Sequence, residues 1–347
     1  MGFKVVLVAN PVMLAKDLPK NVEATGADLS LYTAAQTEDE LLLICADADC
    51  IITHQSHFPF TPRVFRGLPK CRFLLTASIG YEALDVPAAT EVGIGIVNLR
   101  GFCSEELAEH AMALLLACAR YIVIFNSRVK TGRPIPRPND QVGQYLTVLK
   151  GKTLGIIGFG NAGRLLVPKA RGFEMSILAY DPYVDRKTFK DMKVKQVGLD
   201  RLLEESDFIS IHASLTPDSK HLIGLEQLKN MKRGAFIVNT ARGGIIDEQA
   251  LYTALTEGYI AGAGLDVTDP EPVHPDNPLL KLENVIFTGH RAGSSRESSV
   301  VWGIQPAQEV ARMIRGEWPL SLVNPEVKER YIVKWGKMNE PGDIRVK

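Results

Sequence analysis

Short apolar runs alternate with amphipathic stretches through the first hundred residues. Lys4–Ala9, Leu29–Tyr32, Cys50–Thr53, Arg72–Ala77 and Ile94–Val97 have the length and apolar character of strands. Between them, Thr37–Ala46 and Tyr81–Glu91 read as helices. Such alternation predicts parallel strands connected by helices, an α/β layer architecture. A longer helix is predicted over Ser104–Arg128. Ser104 stands where an N-cap would, Glu105 and Glu106 suit the positive end, and Leu107, Ala111, Leu114, Leu115 and Cys118 recur at helical spacing. Pro134, Pro136 and Pro138 exclude helix from the following Thr131–Asp140 connection.

A second α/β series begins at Lys152. Its predicted strands are Thr153–Gly158, Ser176–Asp181, Val194–Val197, Phe208–His212, Ala235–Asn239, Ile260–Leu265 and Asn284–Thr288. Helices fill most gaps, including Leu225–Asn230 and Asp247–Glu257, and Ser298–Arg315 is the last; from Val323 the tail reads as polar. The pattern predicts two doubly wound parallel-sheet domains, the second inserted into the first. Residues 1–100 and 292–347 would form one domain and 101–291 the other. The chain would cross at Ser104–Arg128 and return at Ser298–Arg315. Gly101 and Gly293 ease backbone rotation near the crossings, which puts expected hinges at Asn98–Cys103 and Ala292–Glu297.

The length of 347 residues agrees with two domains. Forty basic and forty acidic side chains balance, which argues against nucleic acid as the main partner. The five cysteines form no C-x-x-C pair and have no histidines at zinc spacing, so reduced, mostly structural thiols and no metal site are expected. Met1–Leu14 has no leader pattern, and the longest apolar run, Ala111–Ala119, is too short to span a bilayer. A cytoplasmic protein without membrane contact is the expectation.

One motif carries specific chemistry. Gly158-Phe159-Gly160-Asn161-Ala162-Gly163 follows a predicted strand and opens a predicted helix, the context of a dinucleotide-binding turn. Gly158 permits the tight turn, Gly160 lets the backbone approach a pyrophosphate, and Gly163 allows close helix–strand packing. The Asn161 and Ala162 amides at the helix start can hold phosphate oxygens. Asp181 ends the next strand, where a carboxylate accepts ribose hydroxyls and repels a 2′-phosphate. NAD is therefore favoured over NADP. Pro168 falls inside the helix and predicts a kink.

Three further polar residues lie just beyond strands, at the carboxyl ends where ligands of such sheets bind. Arg242 is in Asn239-Thr240-Ala241-Arg242-Gly243-Gly244, Glu271 in Leu265-Asp266-Val267-Thr268-Asp269-Pro270-Glu271-Pro272, and His290 in Thr288-Gly289-His290-Arg291-Ala292-Gly293. With these motifs the chain resembles, over nearly its whole length, the D-isomer-specific 2-hydroxyacid dehydrogenase family. The most specific stretches are Gly158–Gly163, His212–Leu251, Asp266–Pro272 and His290–Gly293. The resemblance implies a Rossmann NAD-binding domain inserted into a flavodoxin-like substrate domain. It also implies an enzyme that moves a hydride between NAD and a small 2-hydroxy or 2-oxo acid. Arg242, Glu271 and His290 match the family's catalytic Arg, Glu and His. Ser104, the glycine turn, Asp181, His212, Thr216, Thr240, Ala241 and Asp266 would meet the cofactor with Arg242 and His290. Ser78, Ile79 and Gly80 would meet the substrate carboxylate with Arg242 and His290. A homodimer built mainly through the cofactor domain is implied, with Ser104–Arg128 and Thr131–Asp140 near its interface.

The chemistry needs these residue types. Reducing a 2-oxo acid puts a hydride on carbon and a proton on oxygen, and a histidine can supply that proton near neutral pH. Glu271, as a neighbouring anion, would favour the imidazolium and orient the ring. Arg242 can clamp the carboxylate and polarise the carbonyl. Formate dehydrogenases of this fold carry Gln where Glu271 stands and phosphite dehydrogenases a lysine near Ile79, so both readings are disfavoured. The alternative of another class is an NAD(H)-sensing corepressor-like protein, although no appended regulatory segment is evident. Departures from the family pattern are Gly289 and Arg100 for prolines, Cys103 for asparagine and Ser78 for glycine. His54, Gln55, Ser56 and Arg291 are candidates for the side-chain pocket by loop position. A structural role is expected for His57, His110, His221, His274 and, outside those proposals, for His54 and His212.

Overall fold

The computed structural model describes residues 2–9, 15–33, 35, 37–54, 60–137, 140 and 143–341. Gln55, Ser56, His57 and Pro138 lie outside the described residues. The chain divides into two units, one of residues 1–102 with 295–347 and one of residues 103–294.

In the first unit β1 (Lys4–Val8), β2 (Asp28–Tyr32), β3 (Cys50–Thr53), β4 (Phe73–Thr76) and β5 (Gly95–Val97) form a parallel sheet in the order β2-β1-β3-β4-β5. This is the flavodoxin-like order. The inner strands are buried on both faces, and their side chains alternate between two cores. Val6, Ile51, Leu74 and Ile96 enter one, and Val5, Ile52, Phe73, Leu75 and Val97 the other. The helix predicted over Tyr81–Glu91 is shorter, at Val86–Glu91. Asp85 caps it through Ala88 N (2.8 Å), and Pro87, which has no N–H to leave unsatisfied, suits its first turn.

The polar tail expected from Val323 is a correction. Residues Val327–Trp335 form a helix that buries Val327 and Tyr331. Tyr331 packs against Phe73 (ring centroids 5.1 Å) and Trp318 (4.9 Å). Just before it, Val97 and Leu322 make an antiparallel bridge. The fully buried Asn324 accepts from Ile96 N (2.8 Å) and donates to Thr90 Oγ1 (2.8 Å) and Ile94 O (3.1 Å). The tail thus closes the open edge of β5, whose backbone groups would otherwise invite another strand.

The second unit holds β6 (Thr153–Ile157), β7 (Ser176–Tyr180), β8 (Lys195–Gln196), β9 (Phe208–Ile211), β10 (Phe236–Asn239), β11 (Gly262–Leu265) and β12 (Val285–Phe287). They form a parallel sheet in the order β12-β11-β10-β9-β6-β7-β8, a Rossmann sheet with one strand added. The strand order reverses between β6 and β9, which opens the crevice where such sheets bind ligands.

The helix predicted over Ser104–Arg128 breaks into Ser104–Ala119 and Ile122–Lys130, bent by 61°. Tyr121 between them adopts φ 54°, which buries its ring edge-on to Phe236. Thr147 N takes up the Ala119 carbonyl (3.1 Å). Ser104 does not cap the helix. Cys103 holds the N-cap position and supplies no side-chain bond, while Ser104 is the first helical residue, buried. Pro168 lies inside the helix Asn161–Gly172, which continues past it. Among the described residues no single helix is long and apolar enough to cross a membrane, and no cluster of His, Cys, Asp or Glu could hold a metal ion.

The aromatic cluster around Tyr331 yields a stability test. Tyr331→Ala should cost roughly 3–5 kcal/mol by emptying a packed aromatic site. Urea unfolding measures it, and a loss below about 1 kcal/mol would show that the helix Val327–Trp335 is not docked on Phe73.

Candidate active site

The glycine turn after β6 is built by close backbone approach. Gly158 has φ +90°, and a Cβ there would lie 2.4 Å from Ala213 N. His212 N donates to Ile157 O (2.7 Å), so the loops after β6 and β9 lie against each other. A Cβ on Gly163 would sit 2.3 Å from Gly158 O, whereas one on Gly160 would meet nothing within 4 Å. The helix Asn161–Gly172 begins with Gly160 as N-cap and no side-chain cap. Its first amides therefore lack a side-chain cap, the arrangement that receives phosphate. Arg164, which sequence reasoning passed over, hydrogen-bonds Asn161 Oδ1 (2.7 Å) and adds a cation to this helix end.

Asp181 stands at the end of β7 beside the turn. Its Oδ2 accepts from Phe159 N (2.8 Å) and its Oδ1 from Tyr183 N (2.9 Å). Each carboxylate oxygen keeps a second lone pair, which leaves capacity for ribose hydroxyls. Phe159, between the first two glycines, stacks on Phe189 at 4.6 Å and locks the turn to the next helix. His212 bonds Ser210 Oγ through Nε2 (2.8 Å), and burial pushes its pKa down to about 4. Thr216 N donates to Ser219 Oγ (2.8 Å), within a tight loop whose Thr216 side is exposed.

Beyond β10, the buried Asn239 staples its own loop. Its Oδ1 accepts from Ala241 N (3.0 Å) and its Nδ2 donates to Arg242 O (2.9 Å). Arg242 Nη1 donates to Ala241 O (2.7 Å). Thr240 is buried and its Oγ1 has no partner among the described residues. A buried hydroxyl left so is costly unless a ligand completes it. Gly243 is closer still to its neighbours, since a Cβ there would lie 2.1 Å from Thr268 O. That approach joins the loop bearing Arg242 to the loop bearing Glu271, a role for Gly243 that motif reading did not assign.

Glu271 Oε2 and His290 Nδ1 are 2.6 Å apart, and Thr268 N donates to Glu271 Oε1 (3.2 Å). An ionised carboxylate only accepts, so the ring proton is on Nδ1. Nε2 has no partner among the described residues, and the ring is half-exposed. His290 adopts φ 58°, a conformation that costs a non-glycine residue about 1–3 kcal/mol and persists only where neighbours impose it. Asp266 imposes it. Its carbonyl accepts from His290 N (2.5 Å). Its buried carboxylate accepts from Arg291 N (2.8 Å), Ala292 N (2.9 Å) and Thr288 Oγ1 (2.6 Å).

In the first unit, the loop after β4 is tied down from β5. Leu99 N donates to Ser78 O (2.9 Å) and Asn98 Nδ2 to Ile79 O (2.7 Å). Ser78 Oγ donates to Gly80 O (2.7 Å). The amides of Ile79 and Gly80 donate to no protein atom among the described residues. Trp302 Nε1 donates to Ala77 O (2.8 Å) and meets the His54 ring edge-on at 6.3 Å.

All five cysteines are reduced and buried. Burial pushes the Cys103 thiol up to about 12, Glu106 adds to this, and Arg242 opposes it. A Cβ on Gly293 would lie 2.9 Å from Cys103 Sγ, so the thiol fills the space that the glycine leaves open.

Comparison with known proteins identifies the family of the chain. The model of the D-isomer specific 2-hydroxyacid dehydrogenase, NAD binding domain, matches residues 112–292. The chain is 43% identical to a glyoxylate reductase of Korarchaeum cryptofilum, over 90% of this chain and 93% of that protein. It is 39% identical to a D-3-phosphoglycerate dehydrogenase of Methanocaldococcus jannaschii, over 95% of this chain but 61% of that longer protein. The crystal structure of a glyoxylate reductase from Paecilomyes thermophila superimposes with a TM-score of 0.82 at 27% identity, covering 94% of this chain and 99% of that one. The glycine turn, the open helix end, Asp181 and the unpartnered Thr240 hydroxyl fit NAD. The chain belongs to the D-isomer-specific 2-hydroxyacid dehydrogenases, NAD-dependent oxidoreductases of 2-hydroxy acids.

Proposed function

We propose that this chain interconverts a D-2-hydroxy acid and its 2-oxo acid, with His290 as the acid–base group. The observation that carries the reading is the His290–Glu271 pair at 2.6 Å, which engages Nδ1 and leaves Nε2 without a partner among the described residues. When bound, the nicotinamide supplies or accepts the hydride. Glu271 holds the ring in one tautomer and offsets positive charge on it. In reduction the imidazolium gives its Nε2 proton to the carbonyl oxygen; in oxidation the neutral ring takes the hydroxyl proton. Arg242 binds the substrate carboxylate and polarises the carbonyl. In the first unit, the amides of Ile79 and Gly80, which donate to no protein atom among the described residues, are proposed to bind a substrate carboxylate.

The cofactor assignments rest on the same unit. Gly158, Gly160, Asn161, Ala162 and Gly163 would cradle the pyrophosphate and Asp181 the adenine ribose. His212, Thr216, Thr240, Ala241, Asp266 and Ser104 would line the remainder. Residues 103–294 are then the NAD-binding domain, and residues 1–102 with 295–347 the substrate domain. The relatives named above act, by their names, on glyoxylate and on a phosphorylated hydroxy acid, and glyoxylate is the first substrate to offer.

The chain is further proposed to form a homodimer through the helix Ile122–Lys130 and the segment after it. Ile122, Val129, Ile135 and Val148 are 54%, 69%, 46% and 57% exposed, and a second copy of the same surface would cover them.

Turnover is read as NADH absorbance lost with a series of 2-oxo acids beginning with glyoxylate; absence of turnover across the series would overturn the reading. His290→Ala should lower kcat by roughly 10²–10⁴-fold while NADH still binds, because only proton transfer is removed. Undiminished turnover in that variant would take His290 out of the mechanism. Asp181→Ala should weaken NADH binding and narrow its margin over NADPH, since both the ribose acceptor and the repulsive charge are deleted. Fluorescence titration with each nucleotide tests this, and an unchanged NADH affinity would refute the role of Asp181. Light scattering at micromolar concentration should give twice the 38.2 kDa chain mass. A monomer there would contradict the dimer.

A further inference from the structure

A polar side chain that the reaction leaves unused sits directly behind the catalytic loop. His110 lies on the core-facing helix Ser104–Ala119, whose neighbouring positions Ala111 and Leu114 are buried. Its Nε2 is 2.9 Å from Thr288 Oγ1 and 3.7 Å from Asp266 Oδ1. Thr288 has a single hydroxyl proton, and the ionised carboxylate of Asp266, 2.6 Å away, only accepts. The hydroxyl must therefore donate to Asp266, and its remaining lone pairs accept from His110 Nε2–H. The result is a directed chain from His110 through Thr288 to Asp266. The far end of that chain is the carboxylate that takes the Arg291 and Ala292 amides, next to the carbonyl that takes His290 N.

We infer that His110 is a positioning residue for the reaction, acting through Thr288 and Asp266 to hold the backbone that presents His290. The inference rests on the acid–base role proposed for His290. With the donor from His110 in place, the Thr288 hydroxyl has one orientation, and Asp266 Oδ1 receives it alongside the Arg291 amide. Without that donor the hydroxyl can rotate away, and Asp266 Oδ1 loses its shortest partner. The carboxylate is then held by the Arg291 and Ala292 amides alone among the described residues, and the loop bearing His290 at φ 58° loses part of what imposes that backbone. An apolar side chain at position 110 would serve packing equally well but could not set this orientation. Proton transfer is steep in geometry, with a misplacement of 1 Å costing on the order of 10²-fold. A partial loosening should cost less.

The test compares His110→Phe, His110→Gln and Thr288→Val. His110→Phe keeps a ring but no donor, and should lower kcat by about 10-fold while KM for the 2-oxo acid stays within about twofold. His110→Gln keeps an N–H that reaches Thr288, and should retain most of the turnover. Because the residues act in series, the double variant His110→Phe/Thr288→Val should be no slower than Thr288→Val alone. The ring ¹⁵N resonances of His290, measured on the NADH-bound protein, should move in His110→Phe and stay in place in His110→Gln. Equal losses in the Phe and Gln variants, or unmoved His290 resonances in His110→Phe, would overturn the inference. Thr288→Val is close to isosteric, and supplies both readouts if His110→Phe does not fold. If the unaltered protein reduces no 2-oxo acid, the reaction reading fails, and the His290 resonances still decide the role of His110.

Discussion

The site depends on how the carboxylate of Asp266 is satisfied inside the protein. A buried anion is tolerated only with donors in place, and among the described residues Asp266 has three: the Arg291 and Ala292 amides and the Thr288 hydroxyl. Its main chain is equally engaged, with its N–H on Asn239 O and its carbonyl on His290 N. Asn239 in turn staples the loop of Arg242. One residue thus joins the end of β10, the end of β11 and the segment after β12. The backbone that presents His290 is held by the same donors that satisfy that carboxylate, while Arg242 is reached through the Asp266 main chain and Asn239.

Close backbone approach does comparable work on the cofactor side. Gly158, Gly163 and Gly243 each sit where a Cβ would come within 2.5 Å of another loop's or turn's main chain. Gly160 differs, because its missing Cβ leaves open space. Three of these glycines bring protein backbone together, and the fourth keeps it out. A dinucleotide turn needs both kinds, since the phosphate must reach amides that the surrounding turns hold rigid.

The sequence made the sheets legible because their strands are buried on both faces and read as continuous apolar runs. The glycine turn was legible because its residue types are required by sterics. Other features depended on tertiary contacts that no local pattern carries. The break at Tyr121 has neither Pro nor Gly to announce it; burial of one ring against Phe236 decides it. The helix Val327–Trp335 alternates too many charges to read as buried, yet Val327 and Tyr331 suffice to dock it. Ser104 looked like a cap because a serine precedes two glutamates, but the helix begins at Ser104 itself. At the site, Arg242, Glu271 and His290 stood out by type and position. Asn239, Thr288 and His110 did not, because polar residues at strand ends and on a helix are ordinary until their partners are known.

The two sides of His290 show how the site divides stability from chemistry. Its backbone is over-determined, with a strained φ held by the network around Asp266. Its ring is half-exposed, with one nitrogen fixed by Glu271 and the other without a partner among the described residues. Rigid support with one open valence is what proton transfer requires, because the geometry must exist before substrate arrives. The same division recurs at Thr240, whose backbone lies in the loop stapled by Asn239 while its buried hydroxyl has no partner among the described residues. In both places the protein fixes the main chain and leaves a side-chain atom unsatisfied, so the free energy withheld from folding is available to a bound molecule.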